Sequence, residues 1–144
     1  MPKIRWKRTI ITALVGTIFV VMFMKAGMTS PLSNKDYLGV KKEIVLKDLG
    51  ESVYGEGDQL VYGNKSNYEI FIFDKESKCI AHVQHMEKKY YTDTLKKLDK
   101  RKGKSYKAGT DSVYEDGTII ENQDGSNEIV VKEYSEDFFK KIAK

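Results

Sequence analysis

One cysteine, two prolines, one tryptophan and two histidines in 144 residues leave this chain little of the usual material for crosslinking or catalysis. A lone cysteine, Cys79, excludes an internal disulfide, so stability has to come from packing. It also lies far from the apolar N-terminal run, which sets aside a lipid-modified cysteine. No Gly-x-Ser-x-Gly, Walker or dinucleotide glycine pattern occurs. Carboxylates are plentiful but scattered through charged loops, and no pair stands out as acid and base. The expectation is a protein that is not an enzyme and carries no cofactor. Arginine is scarce as well, three against 22 lysines, a bias that suggests an AT-rich bacterial genome.

Surplus charge is missing from most of the chain. The first 28 residues hold five cations and no acid, and the remaining 116 carry 20 cations against 21 acids. The net +4 therefore belongs to the N-terminus, and the rest lacks the cationic surplus that phosphate binding needs. Nucleic acid is accordingly not an expected partner.

What is present begins with Lys3, Arg5, Lys7 and Arg8, followed by an uncharged run over residues 9–24. Cations of this kind hold an amino end in the cytoplasm while the apolar run inserts. Sixteen residues at about 1.5 Å each give roughly 24 Å, short of a hydrocarbon core of about 30 Å. Arg8 and Lys25 can snorkel, and residues 26–28 can extend the helix. A cut after Ala26 would put Met24 at the outer position, where a signal peptidase wants a small residue. The expected organisation is a cytoplasmic basic tail (1–8), a transmembrane signal-anchor (9–28), a polar linker (29–34) and an extracytoplasmic α+β domain (35–144). The expectation is a single-pass cell-membrane protein, the alternative being secretion after signal-peptide cleavage.

Beyond the linker, Ser33 or Asn34 is suited to cap a helix, and Leu38, Val45, Leu46 and Leu49 share one helical face up to Gly50. Gly39 interrupts that pattern, so a turn with a second short helix stands beside one continuous helix. The periodicity then becomes that of strands over residues 59–62, 67–73 and 78–86. In the middle one Ile70 and Ile72 face one way and Phe71 and Phe73 the other, the mark of a central strand. Residues 86–100 read as an amphipathic helix, 118–121 and 128–134 as strands, and the stretch from Glu136 as a short helix capped by Ser135. Residues 96–107 hold seven cations and one acid, the pattern of a solvated helix end and loop.

Cys79, His82 and His85 form Cys-x2-His-x2-His, a spacing that raises zinc. On a regular strand Cys79 and His85 would share one face and His82 the other, so no metal is expected. The tyrosines are the stronger lead, because tyrosine is apolar in body, polar at its tip and favoured at interfaces. Among Tyr54, Tyr62, Tyr68, Tyr90, Tyr91, Tyr106 and Tyr114, the set Tyr62, Tyr68, Tyr90 and Tyr91 is taken as the candidate partner-binding group.

The spacing of Gly39, Val45, Leu49 and Gly50 resembles the BamE (SmpA/OmlA) family and its wider relatives with the β-lactamase-inhibitor-protein fold. In that pattern the Leu-Gly pair closes a second helix and a three-stranded antiparallel sheet follows. Residues 60–62, 69–74 and 79–83 stand in the places of those strands, and the similarity covers about residues 35–86. Lys41 departs from the usual capping Thr and Ser52 from the usual Pro. The inhibitor-like relatives are tandem repeats, and faint echoes occur here. Leu95 and Leu98 echo Leu46 and Leu49; Gly109, Val113 and Tyr114 echo Gly57, Val61 and Tyr62; residues 127–130 echo 67–70.

The resemblance implies an α+β fold of helices packed on an antiparallel sheet, with a degenerate tandem repeat as one option and one domain with a C-terminal extension as the other. Function is expected to be that of a membrane-anchored protein-binding or scaffold module of the bacterial envelope, engaging another envelope or exported protein. The alternative is an inhibitor or immunity-type protein that binds a specific enzyme or toxin. A ligand sensor or minor hydrolase is the third option.

Overall fold

A computed structural model of the chain describes residues 31–32 and 35–143. The expected basic tail (1–8) and signal-anchor (9–28) lie outside the described residues, as do Ser33 and Asn34. Among the described residues no helix is long and apolar enough to cross a membrane.

The architecture is α+β. Eight strands form one wholly antiparallel sheet: β1 (Tyr54–Glu56), β2 (Gln59–Gly63), β3 (Tyr68–Phe73), β4 (Cys79–Glu87), β5 (Tyr106–Ala108), β6 (Asp111–Val113), β7 (Ile119–Glu121) and β8 (Glu128–Tyr134). Among the described residues three helices accompany them, α1 (Lys42–Leu49), α2 (Tyr91–Lys102) and α3 (Glu136–Ile142), with a 3-10 turn over Lys88–Tyr90. The strand order is β1-β2-β3-β4-β8-β7-β6-β5. Each half of the sheet is thus a helix followed by a four-stranded meander, and the halves join where β4 meets β8. Gly57 and Gly109 occupy matching hairpin turns, β1 to β2 and β5 to β6. The third echo does not match in this way, because Asn67 precedes the third strand of its half and Asn127 the fourth.

The expected helix before Gly50 starts later than its periodicity suggests. Asp36 Oδ1 accepts from Leu38 N at 2.9 Å, and Gly39 takes φ +81°, a conformation that stops a helix from propagating backwards. Residues 36–41 instead pair with the start of β4, through Gly39 N to Cys79 O and Cys79 N to Val40 O. Leu38 therefore sits in a turn, and Leu46 and Leu49 are exposed, which leaves Val45 as the buried residue of α1. Leu32, inside the stretch read as a linker, is buried against the second half. Met86, read both as the end of a strand and as the start of a helix, is in β4 opposite Ile129, and α2 begins only at Tyr91. Asp93 in its first turn and Lys100, Arg101 and Lys102 in its last suit the helix dipole. Ser135 caps α3 as its sequence suggests, accepting from Phe138 N.

Two apolar clusters lie under the helices. Beneath α1 they are Tyr37, Val45, Leu60, Phe71, Phe73 and Cys79; around α2 they are Leu32, Met86, Leu98, Tyr114, Ile120, Ile129 and Val131. Tyr114 donates to Asp99 Oδ1 at 2.7 Å, and burial first, then the Asp99 carboxylate, push its ionisation well above the ordinary value of 10.0. A folded-state value above the unfolded one contributes stability that is present below about pH 10 and lost as pH rises through the folded value. Urea unfolding between pH 8 and 11 is therefore expected to show stability falling with pH. Tyr114→Phe should cost about 1 kcal/mol at pH 8 and flatten that fall; an unchanged slope would contradict the assignment.

Candidate functional site

Register decides what each face of the sheet carries. On the helix side, Leu60, Phe71, His82 and Glu133 form one cross-strand row, and Tyr62, Glu69, Gln84, Val131 and Ile120 the next. The middle of this side is polar. His82, 4% exposed, lies flat on the Phe71 ring at 4.2 Å, and its Nε2 is 2.7 Å from Glu69 Oε1. Glu133, 2% exposed, accepts from Arg101 Nη2 at 2.7 Å. Gln84 is buried beside them, and its Oε1 has no hydrogen-bond donor among the described residues.

The opposite face carries a row that crosses all eight strands: Tyr54, Val61, Ile70, Val83, Lys132, Ile119, Val113 and Tyr106. Seven of the eight are apolar or aromatic, and the exception, Lys132, is held by Glu121 Oε2 at 2.9 Å. The interior members are half-buried, and the two terminal tyrosines are exposed. Helices α1 and α2 bury their apolar residues on the other side. Phe138 of α3 lies against Tyr134 at one corner of this open face.

A cleft of about 280 Å³ opens beside the β2–β3 hairpin. Tyr62, Tyr68, Glu69, Gln84 and His85 are among the residues that line it, with Asn64 and Asn67. The hairpin is held by Asn64 Oδ1, which accepts from Ser66 N at 2.9 Å and Asn67 N at 3.0 Å.

The four candidate tyrosines do not form one surface. Tyr62 and Tyr68 share the cleft; Tyr62 donates to Gly50 O at 2.9 Å, and Tyr68 stacks on His85 at 4.4 Å. Tyr90 and Tyr91 belong to the other half and pack against its core. The Tyr91 hydroxyl takes a 2.6 Å hydrogen bond from Lys107 Nζ and lies 3.2 Å from Ser112 Oγ. Burial pushes its ionisation up, but these neighbours, Lys107 above all, outweigh that and bring it below the ordinary range. Ser112 is fully buried, so its hydroxyl is closed to a substrate. Several cations of residues 96–107 are likewise engaged within the fold, Arg101 on Glu133 and Lys102 on Asp116.

The Cys-x2-His-x2-His run is arranged differently from the expected alternation. A bulge between the pairs Ile72 with Ala81 and Phe73 with Cys79 inserts Ile80. Cys79 thereby joins His82 on the helix side, and His85 alone faces outward. Among the described residues no group of histidine, cysteine and carboxylate side chains assembles with metal-binding geometry. Cys79 is buried, and loss of solvation pushes its thiol up to about 12.

The open row and the cleft escaped the sequence reading because Tyr54 and Tyr106 sit on three-residue strands, and Glu69 and Gln84 become neighbours only through register. The available signal was the doubly apolar pattern of residues 67–73, which requires a covering on both faces. Family models, curated proteins and solved structures all return no match to this chain.

Proposed function

We propose that this protein is a membrane-anchored, extracytoplasmic binding or scaffold module of the bacterial envelope, whose open sheet face docks another envelope or exported protein. The eight-strand apolar row ending in two exposed tyrosines carries this reading. A contiguous apolar patch of this kind is what interaction surfaces present, and tyrosine is enriched at the residues that dominate them. The location rests on the basic tail and apolar run of residues 1–28. The BamE-like resemblance is supported by the antiparallel succession of β2, β3 and β4 after Leu49 and Gly50, with α1 on one face.

A second reading, an inhibitor or immunity-type protein, is favoured by the recurrence of helix plus four-stranded meander, which parallels the tandem repeats of the inhibitor-like relatives and suits an origin by duplication. In-cell photocrosslinking of the tagged full-length protein, with the photoreactive residue at Tyr54 or Tyr106, separates the two. One dominant envelope protein supports the scaffold, and one hydrolase or toxin supports inhibition. Ile70→Asp should lower the captured yield at least about tenfold, because a carboxylate in the middle of the row must be desolvated on docking. Undiminished capture by a folded Ile70→Asp protein would overturn the docking face.

A further inference from the structure

The open row reads nearly the same from either edge of the sheet. A half-turn about an axis normal to the sheet, between β4 and β8, carries β1 to β4 onto β5 to β8. It lays Tyr54 on Tyr106, Val61 on Val113 and Ile70 on Ile119, and sets Val83 against Lys132 beside the axis. The terminal tyrosines match in surroundings as well as in kind, at 51% and 62% exposed. Strands favour these residue types in general, but the neighbouring row on the helix side shows no such agreement. There Leu60, Phe71, His82 and Glu133 fall on Ser112, Ile120, Val131 and Gln84, different at every position. Tyr62 does match Tyr114, and each is tied into its own half, one to Gly50 O and the other to Asp99. A common origin of the halves therefore leaves the agreement along the open row unexplained. The symmetry is that of the row and not of the whole face, because α3 has no counterpart after β4 and meets this face at Tyr134, two residues along β8 from the row.

Each half offers a partner the same three contacts. Seven strand spacings of about 4.8 Å put Tyr54 and Tyr106 roughly 34 Å apart, and three spacings put Ile70 about 14 Å from Ile119. A twofold-symmetric protein meets both halves alike, by presenting one element to each across a shared axis. Its second contact is then intramolecular, and the effective concentration of the linked element strengthens binding without any new kind of contact. Lys132, the row's one charge, is held by Glu121 at 2.9 Å, so an apolar element meets no unpaired charge there. A second copy of this chain fits less well: laid row on row, it would bring two α3 helices to a gap of about 10 Å, the spacing of packed sheets and the width of one helix. We infer that the docked protein is a homodimer that presents the same apolar segment to Tyr54, Val61 and Ile70 and again to Tyr106, Val113 and Ile119, its twofold axis passing between β4 and β8. This rests on the docking-face reading above and names the architecture of the partner.

The test uses photocrosslinking of the full-length protein in native membranes, with the photoreactive residue at Tyr54, at Tyr106 or at both, and the captured peptide identified by mass spectrometry. The same peptide of one protein is expected at either position, and the doubly labelled chain should carry two partner chains. Ile70→Asp should also lower capture at Tyr106, and Ile119→Asp capture at Tyr54, each at least about tenfold, because either half holds the dimer through the other. The peptide comparison alters only exposed tyrosines, so it decides the matter even where an aspartate variant fails to fold. Different peptides at the two positions, or one partner chain on the doubly labelled protein, would overturn the homodimer and leave the docking face standing. If Ile70→Asp lowers capture at Tyr54 and not at Tyr106, each half binds by itself, and the homodimer is again overturned. Peptides of this chain at both positions would overturn it in favour of a second copy. With no specific protein captured at either position, the docking face falls and the homodimer with it.

Discussion

Arg101→Met is expected to destabilise the fold by about 3–5 kcal/mol, a large share of the 5–15 kcal/mol that holds a typical domain together. The effect comes from what stays behind. Glu133 has a side chain only 3% exposed and, among the described residues, one ion-pair partner, the Arg101 guanidinium at 2.7 Å. Without it a carboxylate remains in the sheet's covered face, opposite His82 in register, with no cation to offset its lost hydration. Arg101 itself is partly exposed and tolerates an apolar replacement of similar length. The double variant Arg101→Met, Glu133→Met should recover most of the loss, since removing a buried pair together is often neutral. Urea unfolding of both variants decides the matter, and a double variant as unstable as the single one would rule out the unpaired charge as the cause.

Gly63→Ala is expected to cost on the order of 3 kcal/mol, from backbone strain and overpacking together. Gly63 has φ +110°, outside the range of L side chains, and an added Cβ would stand 2.7 Å from Tyr68 Cα and closer still to Asn67 O. These are backbone atoms of the same hairpin, so neither can move without opening the pairing of β2 with β3. Gly57→Ala is the control. Its Cβ meets nothing within 4 Å, so only the conformational penalty of about 1–2 kcal/mol remains. Comparison of the two midpoints in thermal unfolding checks the difference, and equal losses would show that the close approach at Gly63 is relieved elsewhere.

How much of this was legible in the sequence depended on length and on locality. The strands β2, β3, β4, β7 and β8 announce themselves through alternation, and α2 and α3 through their helical faces, charges and caps. Strands β1, β5 and β6 have three residues each, fewer than two periods of alternation, and unlike the equally short β7 they lack adjacent isoleucines. The start of α1 was obscured because Leu38 has the helical spacing, while Asp36 and Gly39 favour a turn. Joining the halves requires pairs such as Ala81 with Tyr134 and Glu87 with Glu128, far apart in sequence, and no local pattern encodes them. The candidate site suffers most from this. Tyr62 and Tyr68 could be named from residue type, but the cleft between them depends on Glu69 and Gln84 meeting across β3 and β4.

The inserted residue at Ile80 has a consequence for oxidation chemistry. In an unbroken strand the thiol two residues before Ala81 would have stood on the open face, beside whatever docks there. The bulge turns it inward, and at a value of about 12 roughly one molecule in 10⁵ carries a thiolate at neutral pH. Thiolate is the species that attacks disulfides and is captured by oxidants. If the chain is exported into an oxidising space, as proposed, its one cysteine is poorly placed to form mixed disulfides with neighbours, and its associations are left to reversible contacts.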